Sequence, residues 1–430
     1  MKRKALSCLV AVFVLAISSL ASVRGTQAQD RTWSSNANLT FWHSFVAATQ
    51  PALKSLINDF NTTHPGIHVT PQYVPTGDVL LQKLTTAVAS HTAPDISWIH
   101  NNYIQPLADA NGIYNLTPWF KQEPIADQKD VAPALLQQAT YKGKLYAMPV
   151  EATSMAIFYN IDLFRKAGVP LPTNNWTWDE FARDAQRLTN PARKQWGFFV
   201  PDFVGALEGY ETWQFMPWAW EAGGDYATPN GKRILWDSKG FVRAVQFWHD
   251  LIWKYHAATT NPPPNAFFSG KLAMYYDGNW DLPTFFTLPF HWGVAFLPRG
   301  PVSQSAPIGG EYLAIFKQSL HPMQAWEFVK WWTSPQQQAI WSSTSGYLPM
   351  RISTIHQPAF QKYARTHPGV ATFAAEISIG RAPGVVNNYG QVDPLLANAL
   401  QKVFLTKNAN VQAIMTQAAH QATIYANQKS

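Results

Sequence analysis

The chain has 430 residues, with 33 Lys and Arg against 26 Asp and Glu and a formal net charge of +7. That length suffices for two or three domains and a large core. Aromatic and charged residues each make up 14%, where an ordinary soluble domain is roughly 25% charged, so rings fill either a wide interior or a recognition surface.

Residues 1–28 read as an export leader. Lys2, Arg3 and Lys4 form a positive start, Leu9 to Ile17 an apolar run, and the small pairs Ser19/Ala21 and Thr26/Ala28 two cleavage options. The mature start is expected near Ser22 or Gln29. The apolar run is too short for a membrane span, so a soluble exported protein is expected. Cleavage behind Ala28 removes four basic residues (Lys2, Arg3, Lys4, Arg24) and no acid, taking the formal charge from +7 to +3. The basicity is largely the leader's and does not argue for nucleic acid. The only cysteine, Cys8, lies in the leader, so the mature chain has neither disulfide nor thiol chemistry.

Residues 39–42, LTFW, read as a buried strand. Thr49, Gln50 and Pro51 then open a helix with apolar positions at Leu53, Leu56, Ile57 and Phe60, which His64-Pro65-Gly66 stops. Ile67 to Tyr73 alternates as a strand, Leu81, Leu84 and Val88 mark a second helix, and Pro94 to Ile99 a third strand. This order predicts a parallel α/β sheet with ligand beyond the strands' carboxyl ends, where Trp42, His43, Ser44, His100, Asn101 and Asn102 stand. Ala156 to Asn160 reads as a strand. Thr177 to Glu180 is a capping box opening a helix through Leu188. Phe241 to Tyr255 has a helical apolar face, and Ser334 to Gln337 is another capping box, its helix ended by Gly346. Phe267 to Phe285 reads as a helix end, a buried strand and the polar turn DGNWD, and Leu395 to Ile424 as a helical tail.

Motifs for zinc proteases, serine hydrolases, P-loops and dinucleotide binding are missing from the sequence. His64 and His68 cannot share a helix face across Pro65 and Gly66, so they read as a turn and a strand residue rather than metal ligands. A secreted glycoside hydrolase remains the enzyme alternative, with Glu151, Asp277, Asp281 and Glu311 as possible acids.

Several stretches together resemble family 1 extracellular solute-binding proteins of ABC importers: LTFWHSF, NDFNTTHPGIHVT, TAPDISWI, KGKLYAMPVEATSMAIFYNIDLFRKAGV, NNWTWDEF, FFSGKLAMYYDGNW and SGYLPMR, in order along nearly the whole mature chain. The resemblance implies a type II periplasmic-binding-protein fold, with two discontinuous α/β lobes joined by a hinge and ligand in the cleft. The lobes would be 33–149 with about 304–350, and 150–303 with about 351–430. It implies no enzymatic step and no cofactor or metal. It implies a monomer that captures a carbohydrate and hands it to membrane permease subunits.

The same resemblance nominates ligand residues. Trp280 of DGNWD would stack on a sugar face while carboxylates and amides meet its hydroxyls. Glu151 matches a ligand-loop acid, Asn101 a hydroxyl partner beyond the third strand, and Trp213, Trp218 and Trp220 the family's cleft aromatics, of which one or two would face the ligand and the rest the core. Gly310 would let backbone approach the ligand, and Trp42, Ser44 and Tyr347 would complete the pocket. FWHS, IGGEY and SGYLP also bring the chain near the glycerol-3-phosphate binders, the alternative reading of the same fold. That branch uses an arginine fork before a late glycine. Here the matching VVNNYGQ offers Asn388 and Tyr389 instead, and Arg381 lies upstream. A neutral ligand is therefore expected.

Overall fold

The computed structural model describes residues 36–75, 78–203, 212–384 and 386–428. The leader and Cys8 lie outside the described residues. Eight strands organise the rest: β1 (Ala37–His43), β2 (Ile67–Tyr73), β3 (Ile96–His100), β4 (Met148–Pro149), β5 (Met155–Asn160), β6 (Met274–Gly278), β7 (Trp292–Ala295) and β8 (Glu311–Ile315). A five-stranded sheet runs β2-β1-β3-β8-β4, and a three-stranded sheet β6-β5-β7.

The first half of the large sheet is parallel, as the strand–helix spacing predicts: β1 pairs with β2 and with β3. The sheet is not parallel throughout. β8 runs antiparallel to both β3 and β4, with Glu311 opposite His100, because the chain returns to this sheet from the opposite end. The smaller sheet is antiparallel.

The helix Gln50–Thr63 buries Leu53, Leu56, Ile57 and Phe60, and the His64 ring that ends it stacks on Phe60 at 4.2 Å. Thr177 and Glu180 form the expected reciprocal cap on Trp178–Leu188. Ser334 caps Pro335–Ser345 through the amide of Gln337, and Gly346 ends it at φ 86°, a left-handed conformation that favours glycine. The helical tail is two helices, Tyr389–Leu405 and Val411–Ala426. They are separated where Asn410 starts a new cap by accepting from the amide of Ala413.

Two hydrophobic cores result. One gathers β1, β2 and β3 with Phe328, Trp332, Trp341, Phe360 and Phe373. The other gathers Phe181, Trp218, Trp248, Phe404 and Met415. β5 serves both, since Ala156 and Phe158 face the first core while Met155 and Ile157 face the second, the alternation a strand imposes. The segment 352–373, assigned by sequence to the second lobe, contributes Phe360, Tyr363, Val370 and Phe373 to the first core.

Three backbone passages are hydrogen-bonded together. Ala152 exchanges bonds of 2.8 and 3.0 Å with Leu348, and Thr153 exchanges 2.9 and 3.0 Å with Gly309. Asn279, fully buried, binds two of them: its Oδ1 accepts from the Ser154 amide at 2.8 Å, and its Nδ2 donates to Gly346 O at 3.1 Å and Ala152 O at 3.4 Å. Its own amide donates to Ser154 O at 3.2 Å. Removing the side chain strands buried backbone groups, each worth about 1–3 kcal/mol. Asn279→Ala should therefore lower unfolding free energy by about 3 kcal/mol in chemical denaturation; a change under about 1 kcal/mol would contradict this assignment.

Candidate functional site

A cleft of about 800 Å³, its open mouth included, lies beside these passages. One wall begins where β3 ends. His100 leads into the 3₁₀ turn Asn101–Tyr103 and the helix Ile104–Asp109, bringing Asn101, Asn102 and Gln105 to the cleft together with Gln138. Asn101 Nδ2 donates to Gln138 Oε1 at 3.1 Å, and Gln138 Nε2 donates to Ala134 O and Ile308 O, both at 3.3 Å. The amides are thus held in place by one another and by backbone. Asn102 Oδ1 is buried with no protein partner.

Thr153 and Ile308 to Glu311 form the floor. Gly309 and Gly310 are required there by space. A Cβ on Gly310 would lie 2.6 Å from Glu151 O, and one on Gly309 2.8 Å from Thr153 Oγ1. The opposite wall is Trp213, Pro383, Gly384, Val386 and Tyr389. Tyr389 is stacked on Tyr226 at 6.2 Å, and Trp213 leans on Trp280 at 6.4 Å.

Of the residues nominated by sequence, Asn101, Trp213, Gly310 and Tyr389 line this cleft. The others sit elsewhere. Trp280 backs Trp213, packs on both cores and covers Gly278, where any Cβ would meet its ring at 2.2 Å. Glu151 is fully buried behind the floor, its Oε2 accepting from Trp341 Nε1 at 2.5 Å. Tyr347 is buried and stacked on Trp341 at 6.1 Å and 9°. Trp218 lies wholly in the second core against Trp178, Trp248 and Tyr276, because the short helix Met216–Glu221 buries every one of its residues. Ser44 is buried and donates to Val74 O at 2.7 Å. Lys83 Nζ covers the Trp42 ring at 4.4 Å. Asn388, at φ 53°, donates to Tyr425 O and Gln428 O at 2.9 and 3.1 Å, which ties down the C-terminus.

Gln105, Gln138 and Thr153 were not singled out by sequence. Gln138 ends the short helix Pro133–Gln138, just outside the motif that opens at Lys142, and only the folded chain brings it to Asn101.

Several acids are buried, and Glu311 among them lines the cleft. Burial raises the Glu151 carboxyl well above its usual range, and the adjacent Glu311 raises it further. Burial, then Asp281, does the same to Asp277. Burial also raises Glu221 and Glu376.

The family model for the bacterial extracellular solute-binding protein matches residues 47–339. The chain belongs to that family. As a solute-binding protein it is 22% identical over 396 residues to the maltotriose-binding protein of Pyrococcus abyssi, covering 88% of this chain and 80% of that one. It is 22% identical over 401 residues to the sn-glycerol-3-phosphate-binding periplasmic protein UgpB of Pectobacterium atrosepticum, covering 88% of each. Among solved structures it is similar to an ABC substrate-binding protein of Listeria monocytogenes in complex with cycloalternan. There the TM-score is 0.82 at 20% identity, over 92% of this chain and 100% of that one. This likeness establishes the type II binding-protein fold for the described residues.

Two of the tryptophans nominated together should separate in stability. Trp218→Ala empties a core position and should cost about 3–5 kcal/mol of ligand-free stability. Trp213→Ala, at the cleft wall, should cost no more than about 1 kcal/mol. Denaturant titration of the two variants checks this, and equal losses would contradict the placement.

Proposed function

We propose that this solute-binding protein is exported, captures a neutral carbohydrate in the cleft and delivers it to the permease subunits of an ABC importer. The observation that carries the reading is the pairing of walls. Asn101, Asn102, Gln105 and Gln138 offer donors and acceptors on one side, Trp213 and Tyr389 offer rings on the other, and among the described residues no Lys or Arg lines the space. A sugar has an apolar C–H face and a rim of hydroxyls, which such walls complement.

Arg381, the cation nearest in sequence to the loop, is engaged elsewhere. Its Nη2 meets Asp225 Oδ2 at 3.1 Å, and its guanidinium lies 4.8 Å from the Trp220 ring centre. That leaves a phosphate without the arginine fork it would need, and supports a sugar over glycerol-3-phosphate. The names of the relatives include both kinds of ligand; the lining chemistry supports the maltotriose side.

The arrangement of acids supports binding without turnover. Glycosidases place two carboxyls on opposite sides of the scissile bond. Here Glu151 lies behind Glu311, on the same side of the cleft. The two cores are taken as the two lobes, with the passages at 152–154, 309 and 346–348 as the hinge and a single chain as the working unit. The basic, apolar start of the chain supports export.

Maltotriose is the first probe. It should raise the melting temperature in proportion to the logarithm of its concentration at saturation and be recovered intact by chromatography. Trp213→Ala should weaken its binding by about 2 kcal/mol, as aromatic hot spots do, measured by calorimetry. Steady release of shorter sugars would move the protein to the hydrolases.

A further inference from the structure

The two rings of the cleft wall lead back to one side chain. Tyr389 is the first residue of the helix Tyr389–Leu405, so its side chain leans toward the start of that helix. There the Tyr226 ring meets it in a stack at 6.2 Å and 23°. Asp393 stands one turn further along the same helix, on the face of Tyr389. The Tyr226 hydroxyl donates to Asp393 Oδ1 at 3.1 Å, and the same oxygen accepts from Thr212 Oγ1. Thr212 opens the 3₁₀ turn Thr212–Phe215 and immediately precedes Trp213. Thr212 and Tyr226 are each 1% exposed, so water does not compete for these bonds. Burial, then Asp393, raises the Tyr226 hydroxyl well above its usual range, which keeps it a donor.

From this geometry we propose that Asp393 is a positioning residue for the sugar site: one carboxylate oxygen aligns both rings of the cleft wall, Trp213 through Thr212 and Tyr389 through Tyr226. This deepens the carbohydrate reading and rests on it. Asp393 lies outside the cleft lining and acts through its two hydroxyl partners. Ordering a loose side chain on binding subtracts from affinity, and rings fixed beforehand avoid that loss.

The surrounding backbone is held by other groups. Asp225 Oδ1 accepts from the Tyr226 amide at 2.8 Å and from Trp220 Nε1 at 3.1 Å, and its Oδ2 meets Arg381 at 3.1 Å. Phe215 anchors the end of the 3₁₀ turn in the second core, and Trp280 supports the Trp213 ring from one side. Asp393 is left with the alignment of the rings rather than the path of the chain.

Crystal structures of the ligand-free protein and calorimetry test the assignment. In Asp393→Ala both rings, Trp213 and Tyr389, should leave the positions they hold in wild type, while the amide wall at Asn101 and Gln138 stays. Either ring holding its place would overturn the proposal. Tyr226→Phe and Thr212→Val each remove one hydroxyl at nearly constant size, and serve if Asp393→Ala does not fold. The Tyr389 ring should then move in the first and the Trp213 ring in the second, and a ring unmoved in its own variant would overturn the proposal. Asp393→Ala should bind maltotriose about tenfold more weakly and Tyr226→Phe about threefold. In a Tyr389→Ala background, Tyr226→Phe should change affinity by less than about twofold, because its route to the ligand is gone. A Tyr226 that only stabilised the fold would cost the same in both backgrounds, and equal losses would overturn the proposal. Failure of wild type to bind maltotriose would count against the carbohydrate reading itself, and the ligand-free structures then decide the role of Asp393 on their own.

Discussion

Asn279 holds the middle of the molecule together. One carboxamide and one amide tie its own turn to two other passages of backbone, at Ala152 to Ser154 and at Gly346. The cleft floor is the continuation of those passages: Thr153 pairs with Gly309, and Gly309 to Glu311 line the cleft. The positions of the amide wall on the first core and the ring wall around Trp213 and Tyr389 depend on this floor. In the motif DGNWD, Asn279 forms the staple, Trp280 fills the space above Gly278 and supports Trp213, and Asp277 is held by the amide of Gly278 at 2.8 Å. A tryptophan belongs in this polar turn because the turn is interior.

The same region explains part of the unusual composition. Buried carboxyls are expensive to ionise and need donors. Indole N–H groups supply several of them: Trp341 to Glu151 at 2.5 Å and Trp178 to Glu221 at 2.9 Å. The hydroxyl of Ser154 serves Glu376 at 2.7 Å, and the amide of Ser305 serves Glu221 at 3.2 Å. Tryptophan thus acts twice, as apolar filling and as a neutral donor that adds no charge beside the cleft. A lysine or arginine in those places would put positive charge near the floor and invite anions.

Local periodicity made the frame readable. The α/β beginning, the capping box at Thr177, the glycine stop at Gly346 and the final helical region follow from nearest-neighbour chemistry and recur in the structure. The direction of β8 was not readable, because it is set by a return across the molecule rather than by the residues of the strand. The site was partly legible. Asn101, beyond the third strand, and Gly310, Trp213 and Tyr389, nominated by the family resemblance, all line the cleft. Trp218 did not follow, since a run of six residues that are all apolar or buried gives no phase to tell a core face from a cleft face. Asn388 was misplaced because a polar residue before a helix can satisfy backbone as well as ligand, and the choice depends on Tyr425, far along the chain. Gln138 had no signal of its own and gains its place through Asn101.

The proposed function places a sugar between the amide wall and the ring wall, over the Gly309–Glu311 floor. A crystal structure of the protein with maltotriose tests it most directly. Electron density is expected for the sugar with its hydroxyls on Asn101, Asn102 and Gln138 and a pyranose face on Trp213 or Tyr389. Density for the sugar outside this cleft, or an occupied cleft in which neither ring touches the sugar, would contradict it.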